Sequence, residues 1–307
     1  MRESLRVGSR GSPLALAQTE EVVRLLRGVN PDVRVETVII RTHGDEGYRT
    51  DLGSSSDGKR AFTKRIEEAL LEGHIDFAVH SLKDLPAEPV PGLSIAAIPP
   101  RADPRDVLVT NSGRTPQDLP TGSRVGTSSL RRRAQLLALR PDLEVAELHG
   151  NVGTRLRRLA AKEFAAIVVA AAGVWRLRIE RPAMEPIDPR VVTPAPGQGA
   201  LAVEVRADAA RLRDLLAPID DPPSRQATDA ERALSARIGG GCNIPFGALA
   251  IVDGSALHLQ AVVATPDGRR LVRADVSGPA DAPDGIADRA YRQLLDGGAG
   301  DVLREVA

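Results

Sequence analysis

The stretch Ile75-Asp76-Phe77-Ala78-Val79-His80-Ser81-Leu82-Lys83-Asp84-Leu85-Pro86 decides how the rest of the chain is read. Ile75 to Val79 is a compact, largely apolar run of the length of a buried strand. It delivers a His, a Ser, a Lys and an Asp within five positions before Leu85-Pro86 turns the chain away. Ligands in α/β sheets gather outside the carboxyl ends of the strands. A carboxylate placed there beside a cation is a candidate catalytic group. The plainer reading is that Asp84 caps a turn ahead of Pro86, and residues elsewhere in the chain decide between the two.

Working outward, Leu5 to Val7 forms a first strand, and Ser12 and Pro13 supply the N-cap and first residue of a helix that ends near Gly28. Val33 to Ile40 is a second strand. Residues 41–58 are polar and Gly/Ser-rich, long enough for a mobile lid or a disordered segment, and Phe62 to Leu71 is a helix. After a strand at 94–98 the chain crosses a proline-marked linker into a second βα block. Strands are expected there at 107–110, 124–126, 143–148 and 166–170, with helices at 130–139 and 152–161. A second crossing, Thr193-Pro194-Ala195-Pro196-Gly197-Gln198-Gly199, leads to a strand at 201–205. Two such crossings around one block predict that the second domain is inserted into the first, with the last strand returning to the first sheet. Beyond a third boundary at 217–223 come a helix at 224–238, about three strands between 246 and 276, and a helix at 280–295. The expected class is therefore α/β with a small C-terminal α+β domain. Its parts are residues 1–99 with 200–217, 105–193, and 222–307.

Composition narrows the function. The 307 residues are 42% hydrophobic and 27% charged with zero formal net charge, which argues against a general polyanion binder and so against nucleic acid. No apolar run approaches the ~20 residues of a membrane span, and Met1 to Arg6 has no apolar leader; a cytoplasmic protein is expected. One cysteine excludes an internal disulfide framework and a Cys-rich metal site. All but four of the 41 basic residues are Arg, and three of the four lysines, Lys59, Lys64 and Lys83, lie between positions 59 and 83.

Three times a strand ends in a Gly/Ser/Arg turn that opens a helix: Ser9-Arg10-Gly11-Ser12, Gly126-Thr127-Ser128-Ser129-Leu130-Arg131-Arg132-Arg133, and Gly150-Asn151-Val152-Gly153-Thr154-Arg155. Helix N-termini favour anions, whereas arginines in a first helical turn oppose the dipole unless an anion joins them. Arg10, Arg131, Arg132 and Arg155 are accordingly read as carboxylate ligands, and Arg133, Arg157 and Arg158 as a solvated face. No Walker-type phosphate loop is present. The single cysteine lies in Gly239-Gly240-Gly241-Cys242-Asn243. A lone Cys is often a small buried hydrophobe; three preceding glycines suit a thiol that carries something bulky.

Together these motifs, with His80-Ser81-Leu82-Lys83-Asp84-Leu85-Pro86, Asp103-Pro104-Arg105-Asp106 and Pro196-Gly197-Gln198-Gly199-Ala200, resemble the porphobilinogen deaminase (hydroxymethylbilane synthase) family from Arg6 to about Asp296. The resemblance implies two periplasmic-binding-protein-like lobes with a cleft between them, and a third domain carrying a covalent dipyrromethane cofactor on Cys242. It implies head-to-tail assembly of four porphobilinogen units with loss of ammonia, followed by hydrolysis of the linear tetrapyrrole, in porphyrin and haem biosynthesis. Asp84 is then the catalytic carboxylate, stabilising a methylene cation and handling protons. Family correspondence puts Lys83, Ser129, Arg131, Arg132, His149 and Arg155 with Cys242 and Asp84 on the cofactor. It puts Arg10, Ser12, Lys59, Phe62 and Gln198 on the growing chain, Gln198 near the hinge. No metal is implied, and a monomer is expected.

Three departures bear on how strongly later intermediates are held. His149 stands where the family usually has Arg, His43 where an Arg often precedes Gly-Asp, and the segment from Gly53 to Lys59 lacks a lysine common in bacterial relatives. Two other classes remain at this stage: a non-catalytic two-lobed carboxylate-binding protein, and a thiol enzyme using Cys242 as a transient nucleophile.

Overall fold

The computed structural model describes residues 4–41, 57–88, 90–111, 113, 115–179, 183–239 and 244–306, with side chains from Thr63 onward in the helix that begins at Asp57. The chain opens with β1 (Ser4–Ser9), α1 (Pro13–Val29), β2 (Arg34–Ile39), α2 (Asp57–Leu71), β3 (Phe77–Ser81) and β4 (Leu93–Ala97). A second set follows: β5 (Asp106–Thr110), β6 (Arg124–Gly126), α3 (Leu130–Leu139), β7 (Glu144–Ala146), α4 (Val152–Ala160), β8 (Ala166–Ala170), α5 (Ala171–Arg176) and β9 (Met184–Pro186). The remainder is β10 (Leu201–Arg206), α6 (Ala210–Leu216), α7 (Pro222–Ile238), β11 (Phe246–Asp253), β12 (Ala256–Ala264), β13 (Leu271–Pro279), α8 (Pro283–Asp296) and α9 (Ala299–Val306).

Two five-stranded sheets repeat one plan. The first has the order β2-β1-β3-β10-β4 and the second β7-β6-β8-β5-β9. In the first, β1 runs parallel to β2 and β3, while β10 runs antiparallel to β3 and β4. In the second, β6 runs parallel to β7 and β8, while β5 runs antiparallel to β8 and β9. Central strands covered on both faces read as near-continuous apolar runs, as Ala166-Ile167-Val168-Val169-Ala170 does. Val7, Phe77, Val79 and Val203 pack with α1 on one face of the first sheet, and Ala78 packs with Ile66 and Leu70 of α2 on the other. Because β10 enters the first sheet after the whole second sheet has been made, the second lobe is an insertion into the first. The topology is that of two periplasmic-binding-protein-like lobes.

The third sheet is an antiparallel meander, β11-β12-β13. Its alternating inward residues, such as Ala248, Leu259 and Ala274, pack with Leu234 of α7, Ile286 and Leu294 of α8 and Val302 of α9. The described residues gather into two compact units, one within 1–102 and 200–226, the other within 103–199, 227–239 and 244–306. The meander thus has its own core but belongs to the second unit. The β12–β13 turn shows why: Gly268 has φ +71°, and a Cβ there would lie 2.3 Å from the Ala134 carbonyl oxygen and 2.7 Å from the Ala138 nitrogen of α3. Gly268→Ala is therefore expected to cost about 2 kcal/mol or more, from backbone strain and overpacking together. An unchanged melting temperature would mean that this turn does not seat on α3.

Four short elements, α5, β9, α6 and α9, were not anticipated from the sequence. α5 and α6 have no side-chain N-cap, and β9 is three residues long and ends in proline. The third strand also differs: it begins at Phe77, not Ile75, and runs through Ser81. The His74 and Ile75 amides both donate to the Ala69 carbonyl, so Ile75 still belongs to the exit from α2.

Candidate active site

In the first unit, the carboxyl ends of the parallel neighbours β1 and β3 both lead into polar turns. After β1, Arg10 and Gly11 lead to Ser12, whose hydroxyl oxygen caps α1 by accepting the Ala15 amide proton at 3.2 Å. After β3, Leu82-Lys83-Asp84 makes a single 3-10 turn. This turn is pinned from several sides. The Leu82 amide donates to the Ala200 carbonyl at 3.0 Å, and the Leu85 amide closes on the Leu82 carbonyl at 3.1 Å. Gln18 Nε2 of α1 donates to Ser81 Oγ at 2.8 Å. Leu82 and Leu85 are buried with Ile98, Ala200 and Ala202. Lys83 and Asp84, between two buried leucines, are half-buried. The structure thus gives Asp84 a fixed backbone at a strand's carboxyl edge rather than a free loop.

In the second unit, the corresponding edge carries the arginines. β6 runs through Thr127-Ser128 to Ser129, which caps α3 by accepting the Arg132 amide proton at 3.4 Å. β7 leads through His149-Gly150 to Asn151, which caps α4 through the Thr154 amide. Gly150 has φ +104°, and a Cβ there would lie 2.9 Å from the Thr154 side chain, so the turn requires glycine.

Asp106 is the residue that the sequence did not single out. Fully buried at the first position of β5, it lies opposite Ala170, the last residue of β8. Arg131 Nη1 donates to its Oδ2 at 2.8 Å, and Arg132 donates from Nε and Nη2 to its Oδ1 at 3.1 and 2.7 Å. Arg131 also donates to the Thr193 carbonyl and Arg132 to that of Val168. Burial works to raise the Asp106 carboxyl, but the two guanidiniums override it and hold it well below the usual carboxylate range. Desolvation pushes Arg131 down, with Asp106 opposing. The conflict between two arginines and the α3 dipole is therefore answered first by an internal anion. Arg131 and Arg132 are both buried and share Asp106, an internal partner that the sequence reading did not name.

The cluster still has cationic surplus. Arg155 donates Nε to the Gly150 carbonyl at 2.8 Å and has no carboxylate partner among the described residues. Burial, and then the charge of Arg132, push its guanidinium down to about 10. Arg131 and Arg132 share one internal carboxylate and Arg155 is repelled by Arg132, so an added carboxylate or two would relieve both repulsion and desolvation. Acetate and propionate groups on a dipyrromethane are such anions, so the residues present fit that cofactor.

The other expected site residues are placed as follows. Gln198 is buried, and its Nε2 donates to Asp106 Oδ1 and to the Pro104 carbonyl, both at 2.8 Å; its amide braces the arginine cluster rather than facing outward. His149 is exposed, with Nε2 2.9 Å from Glu147 Oε2 and Nδ1 3.4 Å from Ser128 Oγ. Arg158 pairs with Glu163, and Arg157 donates to Thr154 Oγ1, in keeping with a solvated face. Cys242, the segment 42–56 and the side chains of Lys59 and Phe62 lie outside the described residues. Among the described residues no group of three or more His, Cys, Asp or Glu is placed to hold a metal, and no helix is long and apolar enough to cross a membrane.

The chain is thus an α/β protein of two similar lobes, the second inserted into the first, with an acid turn at the strand ends of one unit and an arginine cluster at those of the other. The porphobilinogen deaminase dipyromethane cofactor binding domain matches residues 5–214, and the porphobilinogen deaminase C-terminal domain matches residues 226–295. The porphobilinogen deaminase of Roseiflexus castenholzii is 48% identical over 97% of this chain and 98% of its own length. That of Acidothermus cellulolyticus is 48% identical over 98% and 91%, and that of Stenotrophomonas maltophilia 46% identical over 98% and 99%. The chain belongs to the porphobilinogen deaminase family, a family of transferases whose cofactor is a dipyrromethane.

Proposed function

We propose that this protein joins four porphobilinogen molecules head to tail into hydroxymethylbilane. Four ammonia molecules leave and one water is consumed in the final hydrolysis. The observation that carries this reading is the surplus of guanidinium at the Asp106 cluster in a chain of zero net charge. That is the provision a string of acetate- and propionate-bearing rings requires. When bound, the dipyrromethane supplies a free pyrrole carbon to accept the first unit and, through a thioether to Cys242, a tether for the chain.

The protein's own residues do the rest. Arg131, Arg132 and Arg155 bind carboxylates, with Ser129 and the α3 N-terminus donating alongside, and Arg10 and Ser12 bind them on the first unit. Departure of ammonia from an aminomethylpyrrole leaves a methylene cation conjugated with the ring. Asp84 offsets that charge and takes the proton released when the new carbon–carbon bond restores aromaticity. Lys83 precedes it in the same 3-10 turn and supplies a cation for the carboxylates of the incoming unit. Lys59 and Phe62 accompany the growing chain. The domain limits go with this reading: 1–99 with 200–217, 105–193, and 222–307, in a monomeric, cytoplasmic protein.

The direct test is stoichiometry. Incubation with porphobilinogen is expected to release four ammonia per tetrapyrrole formed; ammonia without tetrapyrrole, or binding without either, would overturn the reading. The His149 departure yields a further expectation. His149→Arg supplies a permanent cation at the carboxyl edge of β7, and is expected to hold at least one enzyme–substrate complex about fivefold more tightly. An unchanged pattern of complexes on native gels would place His149 outside the site.

A further inference from the structure

We propose that the buried His80–Glu204 pair is a positioning element for the acid turn: it fixes the register of β3 on β10 and thereby the place of the Asp84 carboxylate. The proposal rests on reading Asp84 as catalytic. His80 Nε2 lies 3.1 Å from Glu204 Oε2, within ion-pair distance although the two atoms are not aligned as a hydrogen bond, and the two side chains are 4% and 5% exposed. Neither group belongs to the ligand-binding residues already described.

Stability alone does not explain the pair. A buried His–Glu pair in the middle of a sheet pays a desolvation cost that its mutual attraction only roughly repays, and well-packed apolar residues serve a core as well or better. The surrounding rungs are apolar: Ala78, Val79, Ala202 and Val203 are all buried. What such a pair supplies is register. His80 stands opposite Ala202, and Glu204 opposite Ala78, so the contact runs diagonally between adjacent rungs on one face. A one-residue slip would throw the two side chains onto opposite faces, and a two-residue slip would part them. α2 packs over this sheet, with Thr63 and Glu67 also buried. The layer beneath that helix is therefore polar enough to make a misplaced partner costly.

The consequence reaches Asp84 in four residues. Ser81 pairs with Leu201, the next amide, Leu82, donates to the Ala200 carbonyl, and the 3-10 turn starts there. The register of β3 on β10 decides which carbonyl receives that amide and so where the turn begins. Apolar contacts hold the turn down, since Leu82 and Leu85 are buried, but apolar packing tolerates small slides that a diagonal polar contact does not.

Steady-state kinetics on the holoenzyme, with porphobilinogen as substrate, tests this. His80→Gln and Glu204→Gln are each expected to lower kcat about tenfold with KM within about twofold. The double variant should fall no further than either single one, because both remove one contact. Amide hydrogen exchange at Leu82 should quicken in all three. The apolar double variant His80→Leu/Glu204→Leu supplies the control against a merely structural role: it should recover the melting temperature without recovering kcat. The inference is overturned if kcat follows melting temperature across the series, or if the variants keep wild-type kcat while Asp84→Asn loses it. Near-normal turnover in Asp84→Asn would remove the catalytic reading together with this one.

Discussion

Asp84→Asn is expected to lower turnover about 10²–10³-fold, the scale seen when a group aimed at developing charge is removed. The change is close to isosteric. Asp84 is half-buried between Leu82 and Leu85, and it is those two leucines that anchor the turn. Folding and cofactor attachment should therefore be untouched. Loss of ammonia creates positive charge next to the ring, and the next bond-forming step sheds a proton. A carboxylate serves both steps, whereas an amide can neither neutralise the charge nor take the proton. The measurement is kcat with porphobilinogen alongside melting temperature and intact mass. Turnover within about threefold of wild type would take Asp84 out of its role.

Asp106→Asn is expected to have the largest effect on stability. The carboxylate is fully buried and receives Arg131, Arg132 and Gln198. Removing its charge leaves two buried guanidiniums without an internal counter-ion, which typically costs about 3–5 kcal/mol. The sign of the pH dependence follows from the same contacts. The folded protein holds this carboxyl below its unfolded value. Its contribution is therefore complete above the ordinary carboxylate range of roughly 4 and is lost as pH falls from there through the depressed value. Wild-type stability should decline in that acid window more steeply than that of the variant. Equal acid dependence, or a cost below about 1 kcal/mol, would contradict the charge ledger drawn for the cluster. Since a carboxylate of the bound cofactor can offset part of the lost charge, the cofactor-free form should suffer more.

Much of the site was legible because local preferences and sequence disagreed there. Arginines in the first turn of α3 are locally unfavourable, and that conflict singles out Arg131 and Arg132 in the sequence as residues in need of an anion. The sequence could not say which anion resolves it. Asp106 is 25 residues away, and only the pairing of β5 with β8 brings it to the helix. Its trace was a carboxylate opening an otherwise apolar strand, Asp106-Val107-Leu108-Val109-Thr110, inside a motif used only for family likeness. Glu204 was hidden in the same way, as an acid within the apolar run Leu201–Val205 whose partner, His80, lies on another strand. The sheets followed from proline-marked crossings and buried β runs, and the strand at Leu201 entered the first sheet as those crossings implied. α5 and α6 were missed because nothing in their sequences announces a start, and the bond from the buried Gln198 amide to Asp106 leaves no mark in sequence.

The proposed reaction requires a covalent dipyrromethane on Cys242 at every step, and intact-mass measurement of the purified protein and of Cys242→Ser tests it most directly. The wild-type protein should carry the mass of its chain plus one dipyrrole adduct, and the serine variant the bare chain mass alone, before and after incubation with porphobilinogen. A bare wild-type chain after that incubation, or a stable adduct on the variant, would contradict the tether and with it the proposed reaction.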